Sequence, residues 1–102
     1  MAEAIEETLK TRGNVHGDFV ASAQFKDSVN SIVRLTPNYI RMDRACRQAL
    51  FMIVEKMGRI LYGEPHFADH WHDISGYAKL IDDAITDGRL KPVKEATNGN
   101  ND

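Results

Sequence analysis

Apolar residues recur along this chain every three or four positions, the spacing that lines one side of an α-helix. The clearest run is Met42, Cys46, Ala49, Leu50, Ile53, Met57, Ile60 and Leu61, which predicts a helix over 39–62. A second stripe, Phe67, Trp71, Ile74, Ala78, Ile81 and Ile85, predicts another over 66–87, with Gly88 as its C-terminal glycine and Arg89 and Lys91 near the negative end of its dipole. Phe19, Ala23, Val29, Ile32 and Val33 predict a helix over 18–35, opened by Asp18 as a cap and closed by Thr36-Pro37-Asn38, because proline disfavours the helical state in the residue before it. Ile5 and Leu9, one turn apart, predict a short first helix over 2–11, with Glu3, Glu6 and Glu7 at its positive end. The stretch Gly13-Asn14-Val15-His16-Gly17 reads as a glycine-bounded loop, fit for a lid or a docking arm. No segment alternates as a strand does, and no internal repeat is visible. The expected architecture is one all-α domain over residues 1–90, a small bundle of about four helices. It is centred on an antiparallel hairpin, since Gly63-Glu64-Pro65 leaves only a short connection, and is followed by a polar tail over 91–102.

Composition narrows the partners. A chain of 102 residues makes one domain. Its formal net charge of -2 argues against a protein whose task is clamping nucleic acid. The local cations Lys26, Arg34, Arg41, Arg44 and Arg47 read mostly as solvated faces, the sharper reading being a phosphate-binding stripe with Arg41, Gln48 and Arg59 on one flank of the third helix. Cys46 is the single cysteine, so neither an intrachain disulfide nor a cysteine zinc site is available, and its apolar neighbours suggest a packed thiol. No apolar run approaches the ~20 residues of a membrane span. The acidic start lacks the basic and greasy regions of a signal peptide, and a cytoplasmic protein is expected. So small a bundle buries little carbon per subunit, so a homo-oligomer is expected as well.

The chemistry concentrates at the hairpin. Antiparallel pairing brings Lys56 and Arg59, late in the third helix, beside Asp69 and Asp73, early in the fourth. Lys56 falls on the buried side of its helix, where an ammonium needs an anion. One reading is an ion pair that fixes the hairpin's register. The other is a site in which Lys56 and Arg59 hold a phosphate while Asp69 and Asp73 hold magnesium, an ion usually bound through one or two carboxylates plus phosphate oxygens. Trp71 and Tyr77 read as core aromatics with bonded polar tips, or as walls of a nucleobase pocket. His16 is a candidate acid, base or ligand contact if its loop folds over the site. His66 and His70 have i,i+4 metal spacing, but His70 lies close to the apolar stripe and reads as a packed histidine; His72 points to solvent. Gly58 and Gly76, both in mid-helix, suggest close approach of another helix or a ligand. There is no glycine-rich phosphate loop, no serine–histidine–acid order and no cysteine nucleophile context.

The run Gln48-Ala49-Leu50-Phe51-Met52-Ile53-Val54-Glu55-Lys56-Met57-Gly58-Arg59-Ile60-Leu61, then Gly63-Glu64-Pro65, then Asp69-His70-Trp71-His72-Asp73-Ile74-Ser75-Gly76-Tyr77-Ala78, resembles a group of small phage and prophage proteins of unknown role. Arg12-Gly13-Asn14-Val15-His16-Gly17-Asp18-Phe19 fits the same group, and the resemblance covers roughly residues 6 to 81. That group is in turn similar to the all-α, MazG-like nucleoside triphosphate pyrophosphohydrolases. The similarity implies helical hairpins assembled into dimers or tetramers, with magnesium on acidic residues of facing helices and cleavage between the α- and β-phosphates. Those enzymes pair a Glu-x-x-Glu helix with a Glu-x-x-Asp helix. Here Asp69 and Asp73 stand in the second half at a different spacing. The first half is missing from the third helix, where Glu55 is the only acid after Asp43. Two functions follow as expectations: a phage-type accessory protein that binds a nucleotide or another phosphate ligand on a MazG-like scaffold, or a protein-interaction module acting on a host defence or replication protein in the host cytoplasm.

Overall fold

The computed structural model describes the backbone of residues 2–93 and the side chains from Ala4 onward. Among the described residues four α-helices follow one another, α1 (Ala2–His16), α2 (Phe19–Arg34), α3 (Arg44–Tyr62) and α4 (Ala68–Thr86), with a 3-10 turn at Tyr39–Arg41. No strand is present among the described residues, so the all-α expectation holds. From residue 94 on, the expected polar tail lies outside the described residues.

Local chemistry sets most boundaries. Asp18 is extended (ψ 119°), and its Oδ1 accepts from the Val20 and Ala21 N–H groups at 2.8 and 3.2 Å. A cap of this kind contributes about 1 kcal/mol. α2 closes as Leu35 N–H and Thr36 N–H donate back to Ile32 and Val33, just before Pro37. The third helix does not start at Tyr39. Tyr39–Arg41 form a separate 3-10 turn, Met42 is extended (ψ 149°), and α3 begins at Arg44. Arg47 ties this turn down: its guanidinium donates to the Tyr39 and Ile40 carbonyls at 2.9 and 2.7 Å and lies 4.6 Å from the Tyr39 ring centroid. Arg41 bonds Asn38 Oδ1 at 2.6 Å. Arg41 of the expected phosphate stripe and its neighbour cation Arg47 are therefore engaged in holding the turn. At the far end Gly88 (φ 88°) follows α4 as anticipated, and Leu90 N–H reaches back to the Ala84 carbonyl at 3.0 Å.

The first helix is longer than its sequence suggests. α1 runs through Gly13 to His16, and the residue that ends it is Gly17, in the left-handed region at φ 91°, with its N–H on the Gly13 carbonyl at 2.9 Å. A Cβ at Gly17 would run into the Tyr62 backbone, and one at Gly63 would run into the Val15 carbonyl. The two glycines let α1 and α3 meet backbone to backbone, which no other residue permits at these positions.

α3 is the central element. It packs antiparallel to α4, as Lys56 against Asp73 and Ala49 near Ile81 and Ala84 show, and antiparallel to α2 through Lys26 with Glu55 and Ser22 with Gly58. At Gly58 a Cβ would sit 3.1 Å from Lys26 Cδ, the close approach that a mid-helix glycine signalled; Gly76 has nothing within 4 Å. The face that α4 turns inward is His70, Asp73, Ile74, Tyr77, Ile81 and Ala84, while Trp71, Ala78 and Ile85 are exposed. This is about one residue out of phase with the apolar stripe, because His70 and Asp73 are held by polar partners on other elements. Among the described residues the buried apolar ones are few and small: Ala49, Val54 and Ala84. Among the described residues sixteen large apolar ones are exposed, from Met57 at 37% to Leu35 at 86%. Among the described residues no helix is long and apolar enough to cross a membrane.

Candidate functional site

Three helix ends converge at one junction: the C-terminus of α1, the C-terminus of α3 and the N-terminus of α4. The Val15 carbonyl, left without an intrahelical partner at the end of α1, accepts two hydrogen bonds across it. One comes from Glu64 N–H at 2.9 Å and the other from His70 Nε2 at 3.1 Å. A carbonyl can only accept, so His70 carries its proton on Nε2. His70 is 1% exposed, the most deeply buried large side chain described. Its ring packs 5.3 Å from His16 and 4.9 Å from Phe67, centroid to centroid. The i,i+4 pairing of His66 with His70 makes no metal site, since His66 is exposed and His70 Nε2 is occupied by the carbonyl.

Lys56 and Asp73 meet as the hairpin geometry requires. The ammonium lies 2.9 Å from Asp73 Oδ2, with the lysine side chain 10% exposed and the aspartate 42%. The hydrogen bond from Lys56 holds the Asp73 carboxyl below its ordinary value; partial burial opposes this, and the charges of Lys56, His72 and Arg59 add to the lowering. A second pair, Lys26 with Glu55 at 3.1 Å, joins α2 to α3.

Beside these neutralised pairs stand cations that are not neutralised. Neither the Arg12 nor the Arg59 guanidinium has a hydrogen-bond or ion-pair partner among the described residues. Both line a cavity of about 350 Å³ shared with His16, Asp69, His70 and Asp73. Both also line a second cavity, of about 490 Å³, with His16, Asp18, Phe19 and the Lys26–Glu55 pair. Arg12, His16 and Arg59 thus form a common wall between two crevices. His16 is held below its usual pKa by burial first, then by the charges of Arg59, His70, Lys56 and Arg12. Its Nδ1 is buried without a hydrogen-bond partner. His16 thus brings one unpartnered ring nitrogen to the lining it shares with Arg12 and Arg59.

Of the residues singled out in the sequence, Lys56, Arg59, Asp69, Asp73 and His16 come together here. Trp71 and Tyr77 do not. Trp71 points outward with its indole N–H on the Pro65 carbonyl at 2.8 Å, and Tyr77 lines shallow grooves along α4 with Gly76 and Leu80. The rings at the junction are His16, Phe67 and His70 instead. Arg12 and Phe19 escaped the sequence reading. Arg12 stacks one turn before His16 only because the helix continues through Gly13, and Phe19 carries the pattern of a core residue. As for magnesium, Asp73 already serves Lys56, and among the described residues no group of three histidines, cysteines or acids could hold a metal ion. Asp69, by contrast, lines the smaller crevice with no hydrogen-bond or ion-pair partner among the described residues.

No protein family, curated protein or solved structure matches the chain.

Proposed function

We propose that the protein binds a phosphate-bearing ligand, by class a nucleotide, across the wall formed by Arg12, His16 and Arg59. The observation that carries this reading is the pair of free guanidiniums facing both crevices, while the neighbouring lysines are already matched by Asp73 and Glu55. A guanidinium presents planar paired donors suited to phosphate oxygens. The resemblance to small phage proteins, and beyond them to MazG-like enzymes, narrows phosphate to nucleotide and suggests a phage-type accessory protein in the host cytoplasm. In this reading Lys56 acts near the phosphate through Asp73, and any magnesium arrives with the ligand, drawing on Asp69 as the carboxylate without a hydrogen-bond partner. Hydrolysis is not part of the proposal, since the Glu-x-x-Glu half of the acid set is missing from α3.

The test is calorimetric titration of the full chain with nucleoside triphosphates, with and without magnesium, alongside an assay for released pyrophosphate. Arg59→Gln is expected to weaken binding about tenfold or more, the size of one charge-assisted hydrogen bond, with unchanged helicity. Absence of binding by the unmodified protein would end the reading.

The few and small buried apolar residues, set against the sixteen exposed large apolar ones among the described residues, support self-association as part of the same proposal. They equally suit the other reading, a module docking on a host protein. Light scattering across a dilution series separates the two: a constant oligomer mass favours self-association, and a monomer that forms a stoichiometric complex in host lysate favours the module.

A further inference from the structure

Phe19 is the first residue of α2, yet the residue is 76% exposed and lines the larger crevice with Arg12 and Arg59. The Lys26 ammonium, paired with Glu55 at 3.1 Å, lies over one face of the ring at 5.4 Å from its centroid, so the opposite face is the one a ligand could stack on. Next to it in the chain, and on the same cavity wall, Asp18 uses Oδ1 for both its capping bonds. No hydrogen bond engages Oδ2 among the described residues, so an acceptor stands ready for the N–H edge of a heterocycle. The cavity of about 490 Å³ brings Arg12, Arg59, Asp18 and Phe19 onto one lining, and its volume is in the usual range for a small-ligand site.

We infer that Phe19 is the stacking platform for the base of a nucleotide whose phosphates lie between Arg12 and Arg59. The inference rests on the phosphate reading above and assigns the base to the α1–α2–α3 side of the wall, away from Trp71 and Tyr77. A flat heterocycle stacks on a phenyl face whatever its identity, so the contact selects nucleotides over bare phosphates more than one base over another.

The experiment titrates the full chain with adenosine and guanosine triphosphates and, separately, with tripolyphosphate, which has the anion and no base. The unmodified protein is expected to prefer the nucleotides by about tenfold or more, the contribution of one stacked base. Phe19→Ala is expected to remove that preference and leave tripolyphosphate affinity unchanged, and Phe19→Trp to restore it; circular dichroism verifies the fold of each. Equal affinity for nucleotide and tripolyphosphate in the unmodified protein, or a preference that survives Phe19→Ala, overturns the inference and leaves the phosphate site standing. Loss of tripolyphosphate binding in both variants also overturns it, by assigning Phe19 a purely structural role. Failure of the unmodified protein to bind either compound removes the phosphate reading, and this inference with it.

Discussion

The Lys56–Asp73 pair is asymmetric, and the asymmetry has a measurable consequence. The two ends differ in access to water, 10% of the lysine side chain against 42% of the aspartate. Removing the lysine charge by Lys56→Met keeps the apolar stem and its packing and leaves behind a carboxylate that water can reach. The expected loss is about 1 kcal/mol or less, the range of a partly exposed pair. Removing the carboxylate by Asp73→Ala strands the Lys56 ammonium in the contact between α3 and α4. A buried charge without its partner costs about 3–5 kcal/mol, and the lower end applies here because a flexible lysine stem can carry its head part of the way to solvent. Stranding Lys56 should therefore cost about 3 kcal/mol, a fall in Tm on the order of 10–20 °C for a domain of this size. Combining Lys56→Met with Asp73→Ala should recover about 2 kcal/mol of it, since no charge is then stranded. Urea denaturation followed by circular dichroism measures all four proteins, at one protein concentration because self-association shifts apparent stability. Equal losses for the two single variants, or a double variant no better than Asp73→Ala alone, would refute the argument that burial of Lys56 dominates the pair.

Other consequences concern the junction and the outer face of α4. Gly17→Ala places a Cβ at φ 91° against the Tyr62 backbone and should cost at least 1–2 kcal/mol, visible as faster amide exchange through the last turn of α1. His16 has a folded-state pKa below 6.5, so the unfolded chain binds the proton more readily. Stability from this group is complete above about pH 6.5 and is lost as pH falls from there through the folded-state value; His16→Asn should flatten that part of a pH–stability curve. Asp73 acts lower down, with its contribution present above 3.8 and lost as pH falls through its depressed folded-state value. Gly76→Ala meets nothing within 4 Å and should stabilise an isolated subunit by about 0.5–1 kcal/mol in chemical denaturation, whereas a net loss would place a second surface against that helix face.

Much of the frame was legible because helix signals are local. The Asp18 cap, the Pro37 stop, the glycine after α4 and the antiparallel hairpin each follow from a few neighbouring residues, and the meeting of Lys56 with Asp73 follows from the hairpin. What failed to show depends on distant partners. Gly13 reads as a helix terminator, but α1 continues through it because the Val15 carbonyl is satisfied by Glu64 and His70, some fifty residues away. Trp71 sits on the apolar stripe of α4, but His70 and Asp73 set the helix's rotation through a carbonyl and an ammonium, and the indole turns outward. In a bundle with so little buried carbon, two polar anchors outweigh an amphipathic pattern. Arg47 reads from sequence as a solvated cation, whereas in the fold its guanidinium reaches back to the Tyr39 and Ile40 carbonyls.

The same rotation separates the surface into two regions, and this separation can be tested. Of the sixteen exposed large apolar residues, only Leu9 and Phe19 line either crevice at the Arg12–Arg59 wall; the other fourteen lie elsewhere. Leu61 near the end of α3 and Leu80 on α4 are 59% and 64% exposed and line neither crevice. If assembly and ligand binding use different surfaces, Leu61→Lys with Leu80→Lys should shift the protein toward monomer. Each leucine withheld from an interface removes about 1.5–3 kcal/mol of association energy, enough together to move a dimer's dissociation constant by two decades or more. Tripolyphosphate affinity, measured on the same samples, should stay within about twofold of the unmodified protein, a difference of about 0.4 kcal/mol. A monomeric variant that loses the anion would show instead that a second copy completes the crevice, and the site would then belong to the assembly and not to one chain.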